Sequence, residues 1–426
     1  MFFDVLAAVV RTQAAKDALV WRGRGVSYAT LAERVAYWRQ ALQSGKHRPG
    51  TILGIVGDFS PEAVALLLAA IESGCVVAPA WGSSAGGIAE RLRVGQIEQL
   101  ATLDDQDSVT LTATGNRADH PLYQQLRAAG HPGLVLFSSG STGEPKGTVH
   151  DLTRLLRKYE VPRKDLRTLA FLLFDHIGGL DTLFYSLANG STLVIPEART
   201  PETVCQAIAS HRVQVLPTAP SFLNLLLLSG AYQQYDLSSL EYITYGAEMM
   251  PQATLSRCAQ EFPGVKLLQK YGTSEVGTLR SSSRDADSLW VRIGGEGYQW
   301  RVVEGKLEIS ADSAMLGYLN APSPFTADGW FMTGDCVEVD GEFVRCLGRE
   351  SDLINVGGQK VHPSEVEAVI AEMPGIADVS VYGEKNLMLG QVVCARVQTV
   401  SEEPAAQVRA AVKRFCSERQ IGRAHV

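Results

Sequence analysis

The chain has 426 residues, 46% of them hydrophobic and 20% charged, enough to fill more than one core and cover it, which excludes disorder and makes two or more domains the default. A formal net charge of -7 argues against the basic footprint of a nucleic-acid binder or a polybasic membrane patch and favours small-molecule chemistry. The seven cysteines, Cys75, Cys205, Cys258, Cys336, Cys346, Cys394 and Cys416, are scattered with no C-x-x-C pair, so neither a disulfide framework nor a zinc site is expected.

The first stretch, MFFDVLAAVVR, places Asp4 among its apolar residues and has no basic region before them, unlike a signal peptide. The longest clear apolar run, 63–71, is too short to span a bilayer. A reduced, cytoplasmic protein is the expectation. PEAVALLLAAIES at 61–73 stops at Gly74 and is followed by CVVAPA. Helix, glycine stop and buried strand is the pattern of an α/β layer structure. Next comes the apolar strand 134–137, which runs into FSSGSTGEPKG at 137–147. FLLFDHIGGL then reads as an apolar strand ending at His176 and two glycines. The helix–strand pattern returns at 201–210 with 211–216, and after Pro251, where ATLSRCAQEF precedes VKLLQ. Beyond Ser288 the turns grow denser: GGEG, then RVVEG, KLEIS and GEFVRCLG predict a β-rich region. A second unit begins near Arg349. SEVEAVIAEM behind Pro363 predicts an amphipathic helix, with DVSVYG and LGQVVCARV as strands after it. The predicted fold class is α/β: a large multi-layer α/β N-terminal domain with a β-rich subdomain, residues 1–348, and a small α+β C-terminal lid domain, residues 349–426.

The segment 137–147 offers hydroxyls on Ser138, Ser139, Ser141 and Thr142, glycines at Gly140, Gly143 and Gly147, and the mobile charge of Lys146. Glycines let backbone N–H groups approach an anion, so a polyphosphate is the natural guest. Lys146 follows Pro145 rather than glycine, so the common P-loop pattern G-x-x-x-x-G-K-S/T fails. A plain turn after a strand remains the alternative for this segment alone.

Four further motifs accompany it in order: YGAE at 245–248, YGTSEVG at 271–277, GYLNAP with GWFMTGD between Gly317 and Asp335, and GRESDLINVGGQKVHPSEVE at 348–367. Together they resemble the signature motifs of the adenylate-forming superfamily of acyl-CoA synthetases, nonribosomal adenylation domains and luciferases. The resemblance implies ATP-dependent activation of a carboxylic acid as its adenylate, with magnesium, followed by transfer to coenzyme A. It implies magnesium binding by Glu275, α-phosphate contact by Thr273, adenine stacking on Tyr271 beside Gly272, and an adenine edge lined by Gly246, Ala247 and Glu248. Asp335 would bind the ribose hydroxyls, a carboxylate being able to accept both. Arg349 would contact ribose, Asp352 would be the hinge of a rotating lid, and Gly357 and Gly358 would let a pantetheine arm pass. Blander alternatives are a solvated loop acid at Glu275 and a turn aspartate at Asp335. Asn355 stands where many relatives carry lysine, so no role is transferred to it.

His176 would gate the acyl pocket, the alternative being a histidine merely packed at a strand end. The pocket is expected from 176–184, 217–223 and Tyr245 with Gly246, a mixture of aromatic, aliphatic and glycine positions with no evident charged anchor for an amino group. Relatives also carry a lysine in a G-K motif on the lid, and no G-K pair follows Gly358. The expectation is a lid truncated at its C-terminal end, with IGRAHV as artefactual sequence and impaired adenylation. Two other functions stay open: a stand-alone adenylation protein loading a carrier-protein phosphopantetheine, and a non-catalytic nucleotide-binding relative.

Overall fold

The helix Pro61–Glu72 is apolar on every side, and a helix of that kind can only lie between two layers. The computed structural model describes residues 1–45, 47–80, 85–139, 144–400 and 404–419, and it gives the helix that place. The Ser60 hydroxyl accepts from the Ala63 N–H at 3.1 Å and Pro61 opens the first turn, so the start is capped. Its buried residues share one core with Leu53, Ile55, Val77 and Leu134 from one sheet and with Leu19, Leu193 and Ile195 from another.

The first of these sheets has seven strands, in the order Gly317–Tyr318, Pro145–Asp151, Gly133–Ser139, Val76–Ala80, Ile52–Val56, Gln99–Leu103 and Val109–Ala113. Its middle is parallel, whereas Pro145–Asp151 returns antiparallel against Gly133–Ser139. The second sheet, also of seven strands, runs Lys266–Gln269, Tyr242–Tyr245, Val215–Thr218, Thr168–Leu169, Leu193–Ile195, Asp17–Trp21 and Arg24–Ser27. Parallel strands put all their carboxyl ends on one edge, where α/β proteins bind ligands. Here that edge carries Ser138, Thr218, Tyr245 and, just past the last strand, Lys270.

Residues 280–349 supply a six-stranded antiparallel sheet around Val276, Leu279, Ile293, Leu307 and Ile309. Beyond it, a four-stranded sheet with the helices Pro363–Ala371 and Ala405–Glu418 has its own core of Ile354, Val366, Ile370, Val381, Val393, Val408 and Val412. The mixed α/β layers, the β-rich unit and the small α+β unit therefore all appear. Among the described residues no helix is long and apolar enough to cross a membrane.

Two local expectations change. Residues 171–174 form no strand; the pairing stops at Thr168–Leu169, and the chain turns so that His176 starts the helix Ile177–Ala188. The reason is contact: a Cβ on Gly179 would sit 1.9 Å from the Leu173 carbonyl oxygen, so helix and turn are pressed backbone to backbone. The strand expected at 211–216 starts later, at Val215, because the helix Pro201–His211 runs on and Arg212 closes it in the left-handed conformation, φ 52°.

Gly179→Ala should therefore destabilise the chain by about 1–3 kcal/mol, the usual cost of overpacking. A thermal melt indistinguishable from the parent's would contradict the contact.

Candidate active site

A cavity of about 730 Å³ opens at the shared edge of the two seven-stranded sheets, with Arg349 from the six-stranded sheet in its wall. Its phosphate-loop side begins with the antiparallel ladder, which sets Ser138 opposite Lys146 and Ser139 opposite Pro145. Asn320 clamps the base of that turn. Its side-chain oxygen accepts from the Gly147 N–H at 3.1 Å and its amide donates to the Pro145 carbonyl at 2.9 Å. The expected anion ligands Gly140, Ser141, Thr142 and Gly143 lie outside the described residues, as does the side chain of Ser139. Lys146 and Ser138 line the cavity, and the Lys146 ammonium stands 5.7 Å from the centre of the Tyr318 ring.

The Tyr318 hydroxyl donates to Glu275 Oε1 at 2.7 Å. Burial, followed by the Glu275 charge, raises the phenol pKa, so Tyr318 stays a donor. Glu275 and Thr273 both reach the cavity, and the Glu275 N–H donates to Thr273 Oγ1 at 3.2 Å. They sit around the tight pair of strands Gly272–Thr273 and Gly277–Thr278. Gly272 is needed there because a Cβ would lie 2.8 Å from the Gly277 carbonyl oxygen. Behind the turn His150 is fully buried, with Nε2 2.6 Å from the Ser274 carbonyl. Burial lowers its pKa, so the neutral ring with Nε2–H donating braces the turn.

The ribose candidates form a group across two paired strands. Asp335 lies opposite Arg349 in the ladder, with Arg349 Nε 3.4 Å from Asp335 Oδ1. Arg349 is 61% exposed and Asp335 only 14%. Burial raises the Asp335 pKa against the opposing pull of the Tyr271 hydroxyl and Arg349. Tyr271 departs from the adenine-stacking expectation. It is 7% exposed, packs in the core of the six-stranded unit and donates its hydroxyl to Asp335. Gly246 and Ala247 line the cavity; a Cβ on Gly246 would lie 2.6 Å from the Lys270 carbonyl oxygen, and Ala247 is held at φ 69°. Such a left-handed alanine is strained, a feature that clusters at binding sites. Glu248 turns away: its carboxylate accepts from the Ser221 N–H at 2.9 Å and the Ser221 hydroxyl at 3.0 Å, at the start of the helix Pro220–Ser229.

At the acyl end, His176 lines the cavity and is 63% exposed, with Tyr245 and Gly246 opposite at the strand ends. The expected apolar wall is more polar than its sequence suggested. Phe184 and Leu223 are core residues, while Thr168, Thr182, Thr218, Thr244, Tyr185 and Lys270 share the surface with Leu172, Ile177 and Leu268. Asp181 also lines it, held by the Lys158 ammonium and, at 2.6 Å, by the Tyr159 hydroxyl.

Asp352 ends the short turn Glu350–Asp352 that links the six-stranded sheet to the small unit. Gly357 and Gly358, at φ 57° and 90°, make the two-residue hairpin turn between Ile354–Val356 and Gln359–Val361, and the Gly358 N–H donates to Asn355 Oδ1 at 3.0 Å. A backbone requirement thus accounts for the glycine pair at this position.

Among the described residues no group of three or more His, Cys, Asp or Glu side chains forms a metal cage. A single carboxylate, Glu275, beside the phosphate-loop base fits a magnesium ion that arrives with a polyphosphate and keeps water and phosphate ligands. Tyr318, Asn320, His150 and Lys270 had no assigned role in the sequence reading. Each lies in or next to a recognised motif, and that adjacency was the signal available.

A model of the family described as AMP-binding enzyme matches residues 6–319. The indoleacetate–CoA ligase of Aromatoleum aromaticum is 27% identical, the alignment covering 90% of this chain and 85% of that protein. Among solved structures, the anthranilate CoA ligase AuaEII in complex with anthranoyl-AMP superposes with a TM-score of 0.81 at 21% identity, over 98% of this chain and 90% of that one. ATP-bound MatB from Rhodopseudomonas palustris gives 0.81 at 22% identity, over 97% and 92%. At such identity the two structures establish a shared fold.

The lowered His150 pKa has a consequence for stability. As pH falls, the unfolded chain takes the proton first, near the ordinary value of 6.5, so stability is retained above that pH and declines below it. Melts between pH 7.5 and 5.5 should show a steeper acid loss for the parent than for His150→Gln; equal slopes would contradict the buried neutral ring.

Proposed function

Because the chain belongs to the AMP-binding enzyme family, we propose that it activates a carboxylic acid with ATP and passes the acyl group to coenzyme A. A carboxylate oxygen attacks the α-phosphorus, the bond to the bridging oxygen breaks, and acyl-adenylate and pyrophosphate form. The thiol of coenzyme A then loses its proton and attacks the acyl carbon, and AMP leaves.

The reading is carried by the convergence of Lys146, Thr273, Glu275 and Arg349 on one cavity. Two anions must meet before they can react, and fixed cations and donors in a partly dry site lower that barrier. Lys146 neutralises the β- and γ-phosphates, Thr273 donates to the α-phosphate, and Asp335 accepts from the ribose hydroxyls with Arg349 beside it. Glu275, oriented by Tyr318, would hold magnesium, which would supply neutralisation of phosphate charge. Residues 349–426 act as a lid on the core 1–348, turning about Asp352 between the two half-reactions. The name of the Aromatoleum aromaticum relative supports coenzyme A as acceptor.

Incubation with magnesium, ATP, a panel of carboxylic acids and hydroxylamine should release AMP and pyrophosphate and form acyl hydroxamate, with a thioester appearing when coenzyme A replaces hydroxylamine. ADP in place of AMP, or no acid-dependent product, would overturn the proposal. Glu275→Gln should lower the adenylation rate by about 10²–10³-fold, in the range for losing one preorganised electrostatic contact. In a thermal-shift assay Asp335→Asn should lose most of the protection given by magnesium–ATP, and full protection would remove Asp335 from the ribose site.

A further inference from the structure

Beside the acyl end of the cavity two ammonium groups, Lys158 and Lys270, stand against one carboxylate, Asp181, among the described residues. Lys270 follows the strand Lys266–Gln269, its backbone N–H donates to the Tyr245 carbonyl at 2.7 Å, and its side chain lines the cavity. Among the described residues no hydrogen bond or ion pair reaches its ammonium. The charges that act on it are Asp181 and Lys158. Asp181 Oδ1 accepts from Lys158 and from Tyr159, and Lys158 donates a second bond to the Thr278 carbonyl at 3.0 Å. Two lysines against one aspartate leave this end with an excess of one positive charge.

Burial is the largest influence on Lys270 and lowers its pKa, and Lys158 adds to that. A partly buried ammonium is less well hydrated than a free one, and an anionic guest offsets that cost. Thr244 lines the same cavity as Lys270, beside the apolar Leu172, Ile177 and Leu268. At the rim Lys164 adds a further cation, donating to the Tyr242 hydroxyl at 2.9 Å. Glu275 is a charge that acts on His150, and Glu275 and Arg349 both act on Tyr318 and Asp335, while Asp181 and Lys158 act on Lys270. The cavity therefore has two ends with different charged neighbours, Glu275 and Arg349 at one and Asp181 and Lys158 at the other.

We propose that the substrate is a dicarboxylic acid whose second, unreacting carboxylate pairs with Lys270. The inference rests on the reading of this cavity as an acyl site. Lys270 is a specificity-determining residue, and Asp181 with Lys158 positions it by keeping the local charge at one excess cation. A monocarboxylic acid of the same length leaves the ammonium unpaired and is disfavoured.

The test compares size-matched acids in the hydroxylamine assay: glutarate against hexanoate, and terephthalate against 4-methylbenzoate. The parent chain should prefer the diacid of at least one pair by on the order of 10²-fold in kcat/KM, the scale of one buried charge-assisted contact. Lys270→Met should collapse that ratio by a similar factor and raise turnover of the monoacids, while Lys270→Arg retains a preference for diacids. Monoacids turned over as well as diacids by the parent, or an unchanged ratio in Lys270→Met, overturns the proposal. Thermal protection by the same four acids reads binding without turnover. A chain protected by diacids that forms no hydroxamate therefore counts against the reaction alone, and equal protection by both classes counts against Lys270.

Discussion

The hydrogen bond from Tyr318 to Glu275 joins two stretches that the Met315 N–H, donating to the Glu275 carbonyl at 2.7 Å, and the Ser313 hydroxyl, donating to the Val276 carbonyl at 2.8 Å, also hold together. Tyr318 belongs to a short strand added to the sheet that carries Lys146, with Tyr318 opposite Thr148 in the ladder. Glu275 belongs to the turn leading into the six-stranded sheet. Their contact, with Lys146 facing the same phenol ring, ties the turn that carries Lys146 and the turn that carries Glu275 into one frame. His150 reaches the same turn from the other side through Ser274. Because Tyr318 and His150 both sit along the strand Pro145–Asp151 or its partner, one ladder sets the position of four groups. That precision matters, since charge stabilisation at a reacting centre depends on donors being fixed before the reaction.

The buried helix Pro61–Glu72 has the complementary task. By filling the space between the two large sheets it keeps their carboxyl edges facing one cavity. One edge delivers Ser138 and Lys146, and the other delivers Thr218, Tyr245, Gly246 and Lys270. The six-stranded sheet completes the enclosure with Arg349. The two ends of the cavity then differ in charge environment: carboxylate and cations together near Glu275, and an excess cation near Lys270.

Several recognised residues hold the scaffold as well as, or in place of, touching a ligand. Tyr271 is buried and donates to Asp335, so its hydroxyl orients the carboxylate while its ring fills a core. Glu248 serves a helix start. Gly357 and Gly358 meet the backbone demand of a tight hairpin. A motif residue read in one dimension carries its chemistry but not its direction, and direction decides among these roles.

The amino-acid sequence by itself determined the layer grammar and the motif set. An all-apolar helix, glycine stops and alternating strands state their periods locally, and FSSGSTGEPKG, YGTSEVG and MTGD present unusual residue types at short range. Their meeting in one place, and the parts played by residues outside those motifs, were decided only in three dimensions. Lys270 is a plain lysine before a tyrosine until the cavity shows it sharing the neighbourhood of one carboxylate, Asp181, with Lys158. Phe184 and Leu223 look like pocket residues until the helix Ile177–Ala188 turns its threonine and aspartate to the cavity instead. The physical reason is that periodicity and local chemistry act over a few residues, whereas charge balance and the direction of a side chain depend on neighbours a hundred residues away in the chain.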